Sequence, residues 1–199
     1  MNQAKETRLL ILVDMDGVLA DFESAFLQIW RTQQPDKVSI ALEDRRGFHL
    51  VDDYPGEYKE LIQAIIAAPG FFRSLEPLTG GLEALKTMQD LGHDVLICTS
   101  PLENYQYCVP EKYEWVDHYL GQAWVNRIVL TRDKTVINGD VLIDDRPLIS
   151  GLAVPAWEHV VYDQPYNRTL QERRRLTWQN WQTILFSAEA GAPASPTGR

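Results

Sequence analysis

The most regular feature of the sequence is a set of short apolar runs bounded by polar residues or glycine. Five have the length of buried strands: LLILV from Leu9, DVLIC from Asp94, RIVLT from Arg127, DVLID from Asp140 and HVVYD from His159. Continuous apolar runs indicate strands covered on both faces, as in a parallel sheet. Because helical patterns separate several of them, the alternation predicts an α/β fold with a doubly wound parallel sheet.

Helical periodicity is clearest in two segments, TGGLEALKTMQDLG, which stops at Gly92, and EKYEWVDHYLG, which stops at Gly121. Glycine just after the last periodic residue is a common helix end. A third charged segment, ERRRL over Glu172–Leu176, is interpreted as a solvated helix face rather than a nucleic-acid site.

Residues 18–78 interrupt the alternation. They contain the helix-like pieces FESAFLQIWRTQ and EYKELIQAIIAA and aromatic-rich loops, but no convincing buried strand. The segment is too long for an ordinary connection, so it is predicted to be a helical cap inserted after the first strand. The expected organisation is a core of residues 1–17 and 79–187, a cap of residues 18–78, and a disordered tail of residues 188–199.

Composition narrows the range of functions. The net charge of the 199-residue chain is −9, which argues against long contacts with a nucleic acid polymer but not against a small phosphate. No apolar run is long enough to cross a bilayer, and MNQAKETR is too short and polar for a signal peptide, so a cytoplasmic location is expected. Cys98 and Cys108 match neither a CxxC nor a metal-binding pattern and are expected to be reduced, structural thiols.

Polar side chains follow each of the first four predicted strands. In chain order they are Asp14 and Asp16, Thr99 and Ser100, Arg132 and Lys134, and Asp144 and Asp145. Ligands of open α/β sheets bind outside the carboxyl ends of the strands, where these residues should meet. The sequence therefore predicts four carboxylates, two hydroxyl groups and two cations at one edge of the sheet.

Such a cluster has a defined chemistry. Carboxylates that converge on one point need a hard divalent cation, and oxygen ligands favour Mg²⁺. A phosphate monoester carries about −1.5 to −2 charge at neutral pH, which Mg²⁺ and Lys134 would nearly cancel. One aspartate of the first pair could then attack phosphorus, and the other could protonate the leaving oxygen and later deprotonate water.

Four motifs, DMDGVLADFE, ICTSP, LTRDKT and LIDDRP, resemble those of the haloacid dehalogenase superfamily. The resemblance is closer to its 5'(3')-deoxyribonucleotidases, through ALEDRRGF, GFF with LEPL, CVPEKYEWV and WEHVVY, and extends from about Leu9 to Trp181. It implies a Rossmann-like core with a small helical cap. It also implies Mg²⁺-dependent hydrolysis of deoxyribonucleoside 5'- and 3'-monophosphates to nucleoside and phosphate, and it makes a homodimer plausible.

Two other functions could use a similar set of residues. The first is a phosphatase of the same superfamily that acts on another small phosphomonoester. The second is a signalling receiver domain, which also gathers aspartates, a hydroxyl and a lysine around Mg²⁺. Receivers carry the acidic pair first and the nucleophile in the middle of the chain, and they lack a long insertion after the first strand. The order of motifs here therefore disfavours a receiver.

The resemblance also implies roles for the acidic residues. Asp14 corresponds to the nucleophile and Asp16 to the general acid and base. Mg²⁺ would be bound by Asp14, the main-chain carbonyl of Asp16 and the side chain of Asp144. Asp145 is expected to orient water or the catalytic lysine instead of binding the metal itself.

The hydroxyl and cationic residues are expected to bind the phosphoryl group. Thr99 and Ser100 would each hold a phosphate oxygen, and Thr99 and Lys134 would also belong to the catalytic set. Lys112 and Arg132 match family positions that reach either the base or the phosphate.

The cap is expected to select the nucleoside. Phe22, Phe48 and Phe71 resemble the base-stacking residues of the family, and an apolar wall near the sugar would disfavour a 2'-hydroxyl. His49 departs from the family, which usually has a large apolar or aromatic residue there. A histidine at that position can donate a hydrogen bond to the base.

Overall fold

The computed structural model describes residues 8–170 and 172–186. Within these ranges, one sheet contains six strands: β1 Leu10–Val13, β2 Asp94–Thr99, β3 Ile128–Leu130, β4 Val141–Asp144, β5 Glu158–Tyr162 and β6 Arg175–Leu176. The order across the sheet is β3-β2-β1-β4-β5-β6, and every pairing is parallel. The predicted parallel α/β sheet is confirmed.

Helices flank the sheet and fill the connections. In the described ranges they are α1 Phe22–Gln33, α2 Leu50–Asp53, α3 Lys59–Ile66, α4 Gly81–Asp90, α5 Tyr105–Leu120, α6 Gln122–Val125 and α7 Trp181–Phe186. Short 3-10 turns lie at Leu42–Asp44, Gly56–Tyr58, Lys134–Val136 and Pro165–Asn167. None of these helices has the length and apolar character needed to span a membrane.

The central strand β1 lies between β2 and β4, and this position explains its uninterrupted apolar sequence. Leu10 pairs with Asp94 of β2, and Ile11 pairs with Val141 of β4. Ile11, Leu12 and Val13 are completely buried. The next residue, Asp14, donates its backbone N–H to Ile143 O at 2.9 Å, so the chain leaves the sheet at the point where β4 also ends.

The helices predicted from periodicity form as α1, α3, α4 and α5, and α5 is longer than expected. Helix α1 covers the expected segment, and the side chain of Asp21 caps it by accepting a hydrogen bond from Ser24 N at 3.1 Å. Helix α5 ends at Gly121 as expected but begins at Tyr105, before the predicted start at Glu111. It contains Pro110, which lacks an N–H and would ordinarily indicate a boundary.

The segment between β1 and α4 adds no strand to the sheet within the described chain, in agreement with a helical insertion. Its interior is aromatic: Trp30 stacks on Phe26 at 5.8 Å between ring centroids and packs edge-on against Tyr54 at 5.1 Å. The indole of Trp30 also donates to Val38 O at 3.0 Å. The domain boundaries remain a prediction, and the tail of residues 188–199 lies outside the described residues.

The interpretation of ERRRL as a helix face is wrong. Arg175–Leu176 forms β6, in which Leu176 is buried and pairs with Tyr162 of β5. The Arg175 guanidinium donates to Asp163 Oδ1 at 3.0 Å and to the main-chain oxygen of Asn167 at 2.8 Å. This two-residue strand is held by backbone pairing with the edge of β5 and by the hydrogen bonds of Arg175. These are tertiary contacts, so no local sequence pattern predicts the strand.

The two cysteines are free and buried, as expected for structural thiols. Burial raises the pKa of Cys98 to about 12, so this thiol stays protonated and unreactive at neutral pH.

Candidate active site

Three carboxylates meet where β1 and β4 end. Asp14, Asp144 and Asp145 each offer an oxygen, and these oxygens lie within 4.8 Å of one another. Asp144 and Asp145 are buried, and Asp14 is largely so. The sequence predicted this convergence, because parallel strands deliver their carboxyl ends to one edge of the sheet.

Lys134 neutralises part of this charge. Its ammonium lies 2.8 Å from Asp14 Oδ1 and 2.6 Å from Asp144 Oδ2. A 3-10 turn, capped by Asp133 accepting from Thr135 N at 2.9 Å, sets the lysine in place. Burial lowers the pKa of Lys134, but the two aspartates outweigh burial and raise that pKa above its ordinary value, so the lysine is a permanent cation.

Among the residues of the described ranges, the cluster contains three carboxyl groups and only one ammonium, so its negative charge is not fully compensated. Burial raises the pKa of Asp14, and Lys134 opposes the rise. The pKa of Asp145 is raised well above its usual range by burial and by repulsion from Asp144 and Asp14. Asp145 Oδ1 is buried without a hydrogen-bond partner in the described residues. Excess charge, an all-oxygen donor set and an unpartnered oxygen together fit a hard divalent cation.

Asp145 is held differently from the sequence expectation. The Lys134 ammonium forms its ion pairs with Asp14 and Asp144, and no pair with Asp145 is found in the described chain. The Tyr166 hydroxyl donates to Asp145 Oδ2 instead. Asp145 thus lies in the carboxylate cluster itself and is oriented by a tyrosine that sequence reasoning missed.

Asp16 occupies a separate environment, two residues beyond Asp14. Its Oδ2 lies 2.5 Å from the ammonium of Lys112, which also donates to Thr99 Oγ1 at 2.8 Å. Asp16 Oδ1 is buried with no partner in the residues described. Burial raises the pKa of Asp16, while Lys112 opposes the rise. The two aspartates of the first motif therefore have different cations beside them.

Lys112 and Thr99 contact each other and do not line the cavity described below. Lys112 is completely buried, with its ammonium 5.0 Å from the Phe72 ring centroid and in contact with Asp16, and its reach to the base or the phosphate stays a prediction. Thr99 is also buried, at the end of β2, and its hydroxyl accepts from this lysine. Among the predicted phosphate ligands after β2, Ser100 is the residue that lines the cavity.

A cavity of about 360 Å³ opens above the carboxylates. Its floor is polar, with Asp14, Asp16, Ser100, Arg132, Lys134, Asp144 and Asp145. Its wall is mostly apolar and comes largely from the cap, with Phe22, Phe48, Leu50, Val51, Ile62 and Ile66. The cavity thus joins an anion site to a surface suited to a flat organic group.

The structure separates the predicted base-binding residues. Phe22, Phe48 and His49 line the cavity, but Phe71 does not. Phe71 is buried behind Phe22, with an edge-on contact of 5.3 Å between ring centroids. Phe71 therefore packs against a wall residue and does not itself line the cavity, which corrects its predicted contact with the base.

Two arginines line the cavity in addition to Lys134. Arg132 lines the cavity as predicted, and its guanidinium donates to Leu102 O at 3.0 Å. Arg146 was missed by sequence reasoning. It lines the cavity with its guanidinium 5.4 Å from the Phe48 ring centroid, and its backbone N–H donates to Asp144 Oδ1 at 2.8 Å. Its position directly after the second acidic pair was the available signal.

The parallel sheet with acidic groups at its carboxyl edge and a helical insertion after β1 has the fold of haloacid dehalogenase-like hydrolases. A solved structure supports this fold: a HAD family hydrolase from Deinococcus radiodurans R1 superposes with a TM-score of 0.58 at 14% identity, covering 93% of this chain and 98% of its own.

The family follows from the sequence comparison. The model of the 5' nucleotidase, deoxy (pyrimidine), cytosolic type C protein (NT5C) family matches residues 8–190, and the chain belongs to this family of hydrolases. A Bordetella bronchiseptica protein assigned as a 5'(3')-deoxyribonucleotidase is 51% identical over 177 residues, 89% of this chain and 95% of its own length. The human mitochondrial 5'(3')-deoxyribonucleotidase is 50% identical over 190 residues, 90% of this chain and 83% of its own. The resemblance inferred from the motifs is confirmed.

Proposed function

We propose that this nucleotidase hydrolyses deoxyribonucleoside 5'- and 3'-monophosphates through an aspartyl-phosphate formed on Asp14, with Mg²⁺ as cofactor. The observation that carries the proposal is a lysine-bridged carboxylate cluster at the floor of a cavity whose wall is aromatic and aliphatic. The names of its relatives support the same substrate class.

The metal would be held by the side chains of Asp14 and Asp144 and the carbonyl of Asp16, with Asp145 beside them. Bound there, it would supply the positive charge that the cluster lacks and lower the repulsion between the carboxylates and a phosphate. Oxygen ligands alone are the set that Mg²⁺ prefers.

The nucleophilic oxygen can be assigned from the hydrogen bonds. Asp14 Oδ1 lies 2.8 Å from the Lys134 ammonium and accepts from Met15 N at 2.8 Å. Both of these donors hold Oδ1, and we therefore assign the attack to Oδ2. A bond forms between Oδ2 and phosphorus, and the bond from phosphorus to the nucleoside oxygen breaks. Lys134 and Ser100 would bind the phosphoryl oxygens as charge develops on them.

Asp16 would move the protons. Its raised pKa favours the protonated form needed to donate to the leaving nucleoside oxygen, and Lys112 keeps the ionised form accessible afterwards. The ionised Asp16 then takes a proton from water, whose oxygen attacks the phosphorus and releases phosphate and free Asp14. In this arrangement Thr99 acts by fixing Lys112.

The cap would select the nucleoside. Phe22 and Phe48 offer faces for a base, and the neighbouring aliphatic wall would leave a 2'-hydroxyl without a partner. His49 lines the same wall and can donate a hydrogen bond to the base. The cytoplasmic location, the homodimer and the absence of nucleic acid polymer as partner stay predictions.

Substrate and metal are tested together by assaying dUMP, dTMP, their 3' isomers and UMP with Mg²⁺ and with EDTA. We expect turnover of the deoxy compounds that disappears in EDTA, and a higher kcat/KM for dUMP than for UMP. Equal kcat/KM for dUMP and UMP would contradict the sugar selection, and full activity in EDTA would contradict the metal.

The covalent step is tested with Asp14→Asn and Asp16→Asn, a matched pair two residues apart. Asp14→Asn should bind nucleotide but form no acid-stable phosphoenzyme and show no turnover. Asp16→Asn should slow phosphoenzyme formation from dUMP far more than from p-nitrophenyl phosphate, whose leaving group needs no protonation. Residual turnover in the first variant, or equal losses on both substrates in the second, would overturn these roles.

A further inference from the structure

A four-residue turn after β5 touches both acidic loops of the site. In this turn, Gln164–Asn167, the amide of Gln164 donates to the main-chain oxygen of Gly17 at 2.7 Å. Asn167 Nδ2 donates to the main-chain oxygen of Asp145 at 2.7 Å, and the Tyr166 hydroxyl donates to Asp145 Oδ2. The turn thus connects the loop after β1 with the loop after β4, and neither the motifs nor the chemistry above uses it.

The turn is itself rigid. Gln164 N donates to Asn167 Oδ1 at 3.2 Å, which closes the turn, and Pro165 restricts its backbone. Asn167 is completely buried and also donates to Tyr162 O at 2.9 Å. The Arg175 guanidinium of β6 donates to Asn167 O at 2.8 Å. A turn fixed at so many points can hold other groups in place.

Tyr166 meets Asp145 at a crowded point. Gly17 has φ of +74°, and a Cβ added there would lie 2.2 Å from Asp145 Oδ2 and 3.1 Å from the Tyr166 hydroxyl oxygen. Asp145 Oδ2 is therefore enclosed by the Gly17 backbone and the phenol. Its other oxygen, Oδ1, has no hydrogen-bond partner in the residues described and belongs to the carboxylate that clusters with Asp14 and Asp144.

The ring of Tyr166 makes a second set of contacts, with the cap. It packs edge-on against Phe48 at 5.9 Å between centroids, and the Arg45 guanidinium lies 5.5 Å from its centroid. Arg45 is buried and paired with Glu23 at 2.7 Å and with Asp53. One residue thus supports a wall of the nucleoside cavity with its ring and a carboxylate of the floor with its hydroxyl.

We propose that Tyr166 is a positioning residue with two separable actions: its hydroxyl orients Asp145 for the metal cluster, and its ring sets Phe48 for the nucleoside. The inference deepens the proposed function and rests on its metal site. Partners of this kind, which orient residues around a metal, change affinity or activity by about 10- to 100-fold when removed.

The two actions are separated by Tyr166→Phe and Tyr166→Leu. Tyr166→Phe keeps the ring and removes the hydroxyl, so Mn²⁺ should bind at least about 10-fold more weakly and kcat should fall, while KM for dUMP stays within about twofold. Tyr166→Leu removes the ring as well and should also raise KM for dUMP. Mn²⁺ binding is measured without nucleotide, by electron paramagnetic resonance of the free ion.

The matched control is Tyr162→Phe. Tyr162 is a buried tyrosine four residues away whose ring packs on Trp178 at 5.3 Å between centroids, and it is Tyr166, not Tyr162, whose hydroxyl donates to Asp145 Oδ2. This variant should bind Mn²⁺ and turn over dUMP like the parent enzyme. Gln164→Leu is a second variant. It removes the hydrogen bond to Gly17 O but keeps the Tyr166 hydroxyl that donates to Asp145, so it should lower kcat with a smaller effect on Mn²⁺ affinity.

The outcomes are distinguishable. Parent-like Mn²⁺ affinity and kcat in Tyr166→Phe would overturn the inference, as would a loss of thermal stability alone. An equal loss of Mn²⁺ affinity in Tyr162→Phe would also overturn it, because the effect would then be general loosening. If the parent enzyme itself binds no Mn²⁺, the proposed metal site fails, and this inference fails with it.

Discussion

Replacing Lys112 by Met tests how the second aspartate of the site is stabilised. The substitution keeps the length of the side chain and removes its ammonium from a completely buried position. Asp16 Oδ2 then loses a partner at 2.5 Å, and Thr99 loses a donor at 2.8 Å. Asp16 Oδ1 has no partner in the described chain, so neither oxygen would keep a hydrogen bond to a side chain.

The magnitude follows from the exposure of the two partners. Breaking a buried ion pair by removing one member destabilises a protein by about 3–5 kcal/mol. Here the Lys112 side chain has no exposure, but that of Asp16 keeps 26%. Water can therefore solvate part of the remaining charge, and we expect the lower end of the range, about 3 kcal/mol of unfolding free energy near neutral pH.

The loss should depend on pH in a defined direction. Burial raises the pKa of Asp16 in the folded enzyme and Lys112 opposes that rise, so the variant should have a higher folded pKa than the parent. A raised folded pKa stabilises the protein below the unfolded value, about 3.9, and this stabilisation is lost as pH rises through the folded value. The difference between Lys112→Met and the parent should therefore grow from acid to neutral pH.

The assay is urea unfolding in EDTA at several pH values, with Lys112→Met also made in the Asp16→Asn background. In that background no carboxylate is left without its cation, so the lysine substitution should destabilise the protein much less. A loss below about 1 kcal/mol at neutral pH would refute the argument. The same loss in both backgrounds would show that the cation–π contact of the ammonium with the Phe72 ring, 5.0 Å from its centroid, and not the ion pair, is what the lysine provides.

Other substitutions test other parts of the structure. Gly17→Ala should abolish activity and lower the melting temperature, because φ is +74° and the new Cβ would collide with Asp145 Oδ2; parent-like activity would contradict this. Burial lowers the pKa of His159 to about 4, so the unfolded chain binds a proton at higher pH than the folded protein does. Stability should therefore be lost as pH falls from about 6.5 towards 4. A free energy of unfolding in urea that does not change over this range, or the same pH dependence in His159→Gln, would contradict this. The Glu111 carboxylate accepts from Gly70 N with one oxygen and from Arg73 N with the other, and a carboxamide has only one accepting oxygen. Glu111→Gln should therefore destabilise the protein by about 2 kcal/mol in urea unfolding, and an unchanged midpoint would contradict this.

The sequence by itself determined the layout of the core and the composition of the site. Apolar runs of strand length fix which segments enter the sheet, because a strand covered on both faces needs apolar residues throughout. Parallel strands deliver their carboxyl ends to one edge, so the acidic residues after β1 and β4 had to meet. The helix ends at Gly92 and Gly121 were local signals of the same kind.

Only the tertiary structure decided which side chains partner one another. Asp16 and Lys112 are 96 positions apart, and Tyr166 lies 21 positions beyond the carboxylate it holds. No periodicity spans such distances, so the sequence revealed neither the phenol nor the pairing of the lysine with Asp16. Phe71 shares the aromatic character of Phe22 but faces away from the cavity. A residue type specifies what a side chain can do, whereas its direction is set by the packing of the elements around it.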